Sequence, residues 1–206
     1  MKEAFESGED IHTQTASNVF GVPISEVTSQ MRSRAKAVNF GIVYGIGAFS
    51  LAQDIGTTRK EAQEYIEGYL HHYKNVSAYM TNVVENAKAD GYITTILGRR
   101  RYMPELNARD HNTRAFGERV AMNAPIQGSA ADIIKIAMVN VYKRLRDEGL
   151  SARLVLQVHD ELIVEAPDSE LAEASKILKE EMENAYALSV PLAVDMNTGK
   201  SWYDTK

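Results

Sequence analysis

The sequence predicts an α+β fold, mainly helical at first and supplying strands to a sheet near its end. Three observations carry that prediction. Segments with helical apolar spacing and cap residues recur before residue 90. Two short β-prone pairs, one before residue 104 and one after residue 152, interrupt the helical period. The composition is globular, with 44% hydrophobic and 25% charged residues in 206, enough for one large domain or two small ones.

The elements follow in order. A first helix is expected from Asp10 to Val19, ending before Gly21 and Pro23. A second starts near Ser25 to Glu26 or at Thr28 and runs to the Gly45-Ile46-Gly47 break. Thr58-Arg59-Lys60-Glu61 has capping-box spacing and opens a long helix toward Tyr73. Another is expected from Ser77 to Ala89, closed by Gly91. Tyr92 to Ile96 and Arg99 to Met103 form a hairpin about Leu97-Gly98. Thr113 to Glu148 is helical again, and Pro125 and Gly128 are expected to bend or break it. Arg153 to Val158 reads as a buried strand, Glu161 to Glu165 as its return, and His159-Asp160 as the turn. A helix from Ser169 to Ala187 and a last strand from Leu192 to Asp195 complete the pattern. Three strands and one covering helix leave a sheet edge that another segment would pair with or cover.

Composition limits the function. No apolar stretch reaches the roughly 20 residues that span a bilayer, so no membrane partner is expected. The start, MKEAFESGEDIH, is charged and lacks a signal-peptide core. Cysteine is absent, which excludes a disulfide framework, a thiolate zinc site and a cysteine nucleophile. A cytoplasmic location is the expectation. A net charge of −5 disfavours a nucleic-acid partner only in bulk, because binding depends on where the basic residues sit.

Arg32, Lys36, Phe40 and Tyr44 recur every four residues and form one stripe of the second helix. Two cations followed by two aromatics suit a polyphosphate carrying a sugar and a base: Arg offers a fork, Lys a point charge, and the rings a flat wall. An amphipathic helix with exposed cations and inward-packed rings explains the same spacing, and on spacing alone is favoured. Val158-His159-Asp160-Glu161 lies at a hairpin tip, where a carboxylate is held by strands on both sides. Asp160, with Glu161 as a weaker neighbour, suits a hard cation such as Mg²⁺; a plain polar turn is the favoured alternative. Arg119, Asn123 and Gln127 share a helical face and are able to donate to minor-groove acceptors. Hydrogen bonding between helices explains them equally. Arg99 to Arg101 form the densest cationic run, with Tyr102 placed to stack on a base, or else a salt-bridged surface. His71 and His72 read as surface residues.

The combination and order are more specific than any one signal. Arg32-x3-Lys36-x3-Phe40-x3-Tyr44-Gly45, then Asn123-Ala-Pro-Ile-Gln127-Gly, then Val158-His159-Asp160-Glu161 closely resemble the C-terminal part of family A DNA polymerases, the bacterial DNA polymerase I type. Glu9-Asp10-Ile11-His12-Thr13 and Ser201-Trp202-Tyr203 resemble the corresponding ends. The resemblance implies a fingers subdomain over residues 1–118, with its nucleotide-binding helix at about 28–45, and the end of an antiparallel palm sheet over 119–206. It implies that His12, Arg32 and Lys36 bind a deoxynucleoside triphosphate, that Phe40 packs on its sugar and base, and that Tyr44 occupies the insertion position. Phe at position 40 is the variant that the family associates with poor acceptance of dideoxynucleotides. Arg119, Asn123 and Gln127 are implied at the primer-template minor groove, and His159 at the primer terminus. The implied catalytic residues are Asp160, Glu161 and Lys36, with Asp160 the metal ligand.

The resemblance also implies bacterial, nucleoid-associated replication and repair by two-metal phosphoryl transfer with Mg²⁺. The family's upstream Asp-Tyr-Ser-Gln-Ile-Glu-like motif does not occur among these residues. The expectation is therefore a fragment with one of two metal anchors, whose partner is the upstream part of a polymerase, with upstream palm strand, thumb and exonuclease domains absent. Alone it is expected to be inactive, and its uncovered sheet edge suggests self-association. Two other classes compete: a non-catalytic nucleic-acid or nucleotide-binding module, and a single-subunit RNA polymerase. Phe40, the Glu after His159-Asp160 and the Asn-Ala-Pro-Ile-Gln run point to the DNA enzyme.

Overall fold

The computed structural model describes residues 2, 5, 8 and 10–205. Met1 and Glu9, on which the start of the chain and one end motif rest, lie outside the described residues. The chain divides into two compact units, Met1–Gln127 and Gly128–Lys206. The division expected from the sequence falls at 118/119.

The first unit opens with α1 (Ile11–Phe20), capped by Asp10 and stopped by Gly21 in the left-handed region. A 3₁₀ turn, Ile24–Glu26, precedes α2 (Ser29–Val43), whose N-cap is Thr28. The structure adds α3 (Ala48–Ile55), a helix between Gly47 and Gly56 that the sequence pattern does not predict. Its burial of Leu51 and Ala52 explains why so short a helix holds. Then come α4 (Arg59–His72), with the full Thr58/Glu61 capping box, and α5 (Lys74–Asp90), which starts three residues earlier than expected. One core joins Val38, Ile42, Leu51, Ala62, Tyr69 and Tyr73. His71 and His72 are exposed, as expected.

β1 (Tyr92–Thr94) and β2 (Arg100–Tyr102) form an antiparallel hairpin in which Ile93 faces Arg101. α6 (His111–Asp147) follows the 3₁₀ turn Pro104–Asn107. It is one helix with Pro125 inside, so of the bend or break expected at Pro125 and Gly128 the break does not occur. Proline removes only one N–H donor, a loss that a helix of this length accommodates.

The second unit pairs β3 (Arg153–Val158) with β4 (Glu161–Glu165) across the expected turn. The register shifts between Leu154 and Leu156, so Val155 is bulged out. Contrary to the expectation of a buried strand, Val155 and Leu156 are exposed, because the sheet has two strands and one face stays open. α7 (Leu171–Glu183) ends four residues short of the expected Ala187. No strand forms at 192–195: the Val194 N–H donates to the Glu183 carboxylate at 3.2 Å instead of to a ladder. The expected three-stranded sheet is thus a hairpin. Val141, Leu145, Leu162, Ala174 and Ile177 form the core of this unit. The Arg144 guanidinium ties α6 to α7 through Glu180 at 2.6 Å and Glu181 at 3.1 Å.

Candidate functional site

In the first unit, α2 buries Ala35, Val38, Gly41 and Ile42, which leaves Arg32, Lys36 and Phe40 on the other side. The Asp10 cap brings His12 of α1 to the same face. The His12 and Phe40 rings lie 5.7 Å apart between centroids, and the Lys36 Nζ is 5.9 Å from the Phe40 centroid. Phe40 is 50% exposed and Tyr44 49% exposed, which excludes the arrangement with both rings packed inward.

Arg32 is held on this face by Asp10. Its Nε donates to Oδ2 at 2.6 Å and its Nη2 to Oδ1 at 3.0 Å. The Arg32 hydrogen bond, joined by donation from Thr13, keeps the Asp10 carboxyl far below the usual carboxylate range. The same bond raises the Arg32 value. Burial lowers the His12 value, and the Arg32 and Lys36 charges lower it further while Asp10 opposes them. These effects together favour the neutral imidazole of His12, which has one N–H to give.

A second group surrounds Tyr44. A cleft of about 240 Å³ is lined by Tyr44, Arg101, Phe116, Arg119, Asn123 and Gln127 among others. The Gln127 amide donates to the Tyr44 hydroxyl at 3.4 Å, and the Arg119 guanidinium lies 6.0 Å from the Phe116 ring. Asn123 Oδ1 is buried without a hydrogen-bond partner among the described residues, so the helix-to-helix bonding considered for it is not made there. Gly45 makes the close approach: its φ is +67°, and a Cβ would come within 2.9 Å of the Arg119 Cγ.

In the second unit, His159 and Asp160 are exposed at the β3–β4 tip. His159 has φ +52°, a left-handed value uncommon for a residue with a Cβ. The Gln157 side-chain amide donates to the His159 carbonyl at 2.6 Å and braces that turn. Glu161 Oε2 accepts from the Trp202 indole at 3.2 Å. A cavity of about 550 Å³ beside Asp160 and Glu161 is closed partly by Met182, Asp195 and Trp202. Among the described residues no three His, Cys, Asp or Glu side chains gather to hold a metal.

The structure thus groups His12, Arg32, Lys36 and Phe40, and groups Tyr44 with Arg119, Asn123 and Gln127. His159, Asp160 and Glu161 share the hairpin of the other unit. Sequence reasoning missed the role of Asp10 as the partner of Arg32, the place of Phe116 in the cleft and the brace from Gln157. A cap residue preceding His12 by two positions was the available signal for Asp10.

Residues 1–204 match the family described as DNA polymerase family A. DNA polymerase I of Bacillus subtilis is 57% identical over 204 residues, covering 99% of this chain and 23% of that protein. DNA polymerase I of Geobacillus stearothermophilus is 56% identical with the same coverage. The solved POL domain of Pol1 from M. smegmatis, in complex with DNA primer-template and dNTP, superposes with a TM-score of 0.93 at 48% identity, over 98% of this chain and 36% of that one. The chain thus spans less than a quarter of the length of these two curated relatives. With residues 1–204 matched by the family and relatives more than half identical over that length, the chain belongs to DNA polymerase family A.

Proposed function

We propose that this chain is the nucleotide-binding and terminal palm portion of a DNA-directed DNA polymerase that adds deoxynucleotides to a primer 3′ end in replication and repair. The observation that carries it is the α1–α2 face, where His12, Arg32 and Lys36 meet a half-exposed Phe40. An inward-packed amphipathic helix would not leave that ring in solvent. The M. smegmatis relative was solved with primer-template DNA and dNTP, which supports the same two partners here. Residues 1–118 are assigned to the fingers and 119–206 to the palm. No helix among the described residues is long and apolar enough to cross a membrane. A cytoplasmic, nucleoid-associated location follows from the DNA partner.

Each residue has a part in this reading. The Arg32 fork and the Lys36 point charge bind triphosphate oxygens, and His12 adds one neutral donor. Lys36, next to the phosphates, offsets charge that develops on transfer. Phe40 is the wall for sugar and base, and Tyr44 closes the position beside it. Arg119, Asn123 and Gln127 donate to the minor groove of the primer-template, a contact that senses duplex shape more than sequence. The unpartnered Asn123 Oδ1 leaves room in that row for a donor from outside the protein. His159 meets the primer terminus.

Family membership implies Mg²⁺, and the donor set suits it in part. Asp160 offers hard carboxylate oxygens at an exposed tip, with Glu161 adjacent, and Mg²⁺ is commonly bound by one or two carboxylates plus substrate phosphates. When bound, Mg²⁺ supplies Lewis acidity to phosphoryl transfer. Asp160 would hold it, while Glu161, whose Oε2 is engaged by Trp202, contributes charge. One such anchor is half of what a two-metal site uses, so the 206 residues alone are assigned no turnover.

The test has two parts. Titration with dATP gives saturable binding that Arg32→Ala and Lys36→Ala each weaken about tenfold. No binding by the wild-type chain overturns the reading in favour of another class. Primer extension by the 206 residues with Mg²⁺ gives no product; robust extension abolished by Asp160→Ala would show that another carboxylate of this chain completes the metal site.

A further inference from the structure

Beneath the α1–α2 face lies a chain of polar side chains that none of the proposed roles uses. Thr15 is fully buried, and Tyr73 nearly so. The Thr15 hydroxyl donates to Asn39 Oδ1 at 3.2 Å and lies 3.4 Å from the Tyr73 hydroxyl. Asn39 Nδ2 lies 2.9 Å from His12 Nδ1. Donors and acceptors assign the direction. A threonine hydroxyl has one proton. With that proton on Asn39 Oδ1, the Tyr73 hydroxyl is the donor to Thr15, and the amide NH₂ of Asn39 faces His12. An imidazole nitrogen that accepts from an amide carries no proton, so the proton of neutral His12 is on Nε2.

We propose that Asn39 is a positioning residue that fixes His12 as the Nε2–H tautomer, so that the imidazole presents a donor, not a lone pair, to a phosphate oxygen. The proposal deepens the nucleotide reading and rests on it only for the identity of the ligand; the tautomer belongs to the free chain. A phosphate oxygen is an acceptor, and a ring nitrogen of the wrong tautomer would meet it lone pair to lone pair. Burial of Thr15 and Tyr73 makes the direction costly to reverse, because every member of the chain would have to turn at once. Other groups bearing on His12 are Asp10, which favours its charged form, and Arg32 and Lys36, which disfavour it. Partial burial first, then the two cations, shift the ring toward its neutral form, and it is in that form that the choice of tautomer matters.

Imidazole ¹⁵N NMR on the 206-residue chain tests this without turnover. The expected wild-type spectrum at pH 7 shows His12 with a protonated, pyrrole-type Nε2 and a bare, pyridine-type Nδ1. Asn39→Asp replaces the donor with an acceptor: Nδ1 becomes protonated, and the His12 titration moves to higher pH because a carboxylate now faces the ring. Thr15→Val removes the hydroxyl that orients Asn39 and is expected to give a mixture of both tautomers. A wild-type His12 protonated on Nδ1, or an Asn39→Asp ring unchanged from wild type, overturns the proposal. Inorganic tripolyphosphate is then added as the probe. It shifts the His12 Nε2 signal in wild type and binds severalfold more weakly to Asn39→Asp. If tripolyphosphate leaves the Arg32, Lys36 and His12 signals of wild type untouched while the tautomer is as stated, the nucleotide reading fails and the positioning role of Asn39 stands.

Discussion

Asp10 grips both nitrogens of one edge of the Arg32 guanidinium, with Nε at 2.6 Å and Nη2 at 3.0 Å. The carboxylate thus sits where an anionic ligand of Arg32 would sit, and it does so as the N-cap of α1. Under the proposed nucleotide reading it is an internal anion that a triphosphate displaces or shares.

Asp10→Asn separates the two jobs of that residue. Asparagine caps a helix about as well as aspartate, so α1 keeps its start. The ion pair is exposed and screened by solvent, so it holds Arg32 only weakly. Releasing Arg32 is therefore expected to tighten tripolyphosphate binding by up to about fivefold in calorimetric titration. Weaker binding instead would show that Asp10 holds the guanidinium ready for its ligand.

The capping box of α4 gives a pH dependence of definite sign. Hydrogen bonds from the Thr57 hydroxyl, the Thr58 N–H and the Thr58 hydroxyl hold the Glu61 carboxyl at about 2, below its ordinary 4.5. A folded value below the unfolded one stabilises fully above the unfolded value. That contribution is lost as pH falls through 4.5 toward about 2. The melting temperature of wild type is expected to exceed that of Glu61→Gln by a constant margin from pH 7 to 5 and to lose it toward pH 2. A margin that stays the same at pH 2 would contradict the charge-assisted cap.

Two glycines are expected to respond oppositely to alanine. Gly45 has φ +67°, and its Cβ would fall 2.7 Å from the Met122 Cε and 2.9 Å from the Arg119 Cγ. Left-handed strain alone costs about 1–2 kcal/mol, so Gly45→Ala lowers the unfolding free energy by at least about that much. Gly68 sits inside α4 with open space around it. Gly68→Ala is expected to add about 0.5–1 kcal/mol. Urea denaturation of the two variants checks both signs.

The hairpin tip carries strain that glycine would relieve. His159 holds φ +52° with the Gln157 amide on its carbonyl. His159→Gly is expected to stabilise the second unit by about 1 kcal/mol. Gln157→Ala is expected to destabilise it by a similar amount through the lost bond, about 1 kcal/mol. Hydrogen exchange of the β3–β4 amides reads both changes.

Much of this architecture was legible because it is local. Asp10, Thr28, Thr58 and Gly91 act within a few residues of themselves, and both hairpins were found from turn chemistry next to β-prone runs. The misses are not local. α3 depends on burial of Leu51 and Ala52 against distant residues. The strand expected at 192–195 needs a partner that no described residue supplies, and Glu183 takes the Val194 N–H. Leu156 looked buried because its composition suits a core, yet its two-stranded sheet leaves one face open. The cation and aromatic stripe of α2 was visible as spacing. That Phe40 and Tyr44 face outward was not, since period four alone does not say which side of a helix meets the core. The Asn39–His12 pair, 27 positions apart, left no trace in any pattern.

The half-exposed ring of Phe40 has a consequence for how the chain tolerates change. A side chain 50% in solvent adds little to folding, so many replacements there leave the fold and its abundance intact. A library sorted for expression or heat resistance would pass over this position, whereas under the proposed nucleotide reading one sorted for substrate choice would find it. Val38, two residues away and fully buried, is constrained by packing instead, and replacements there are expected to be felt in the fold.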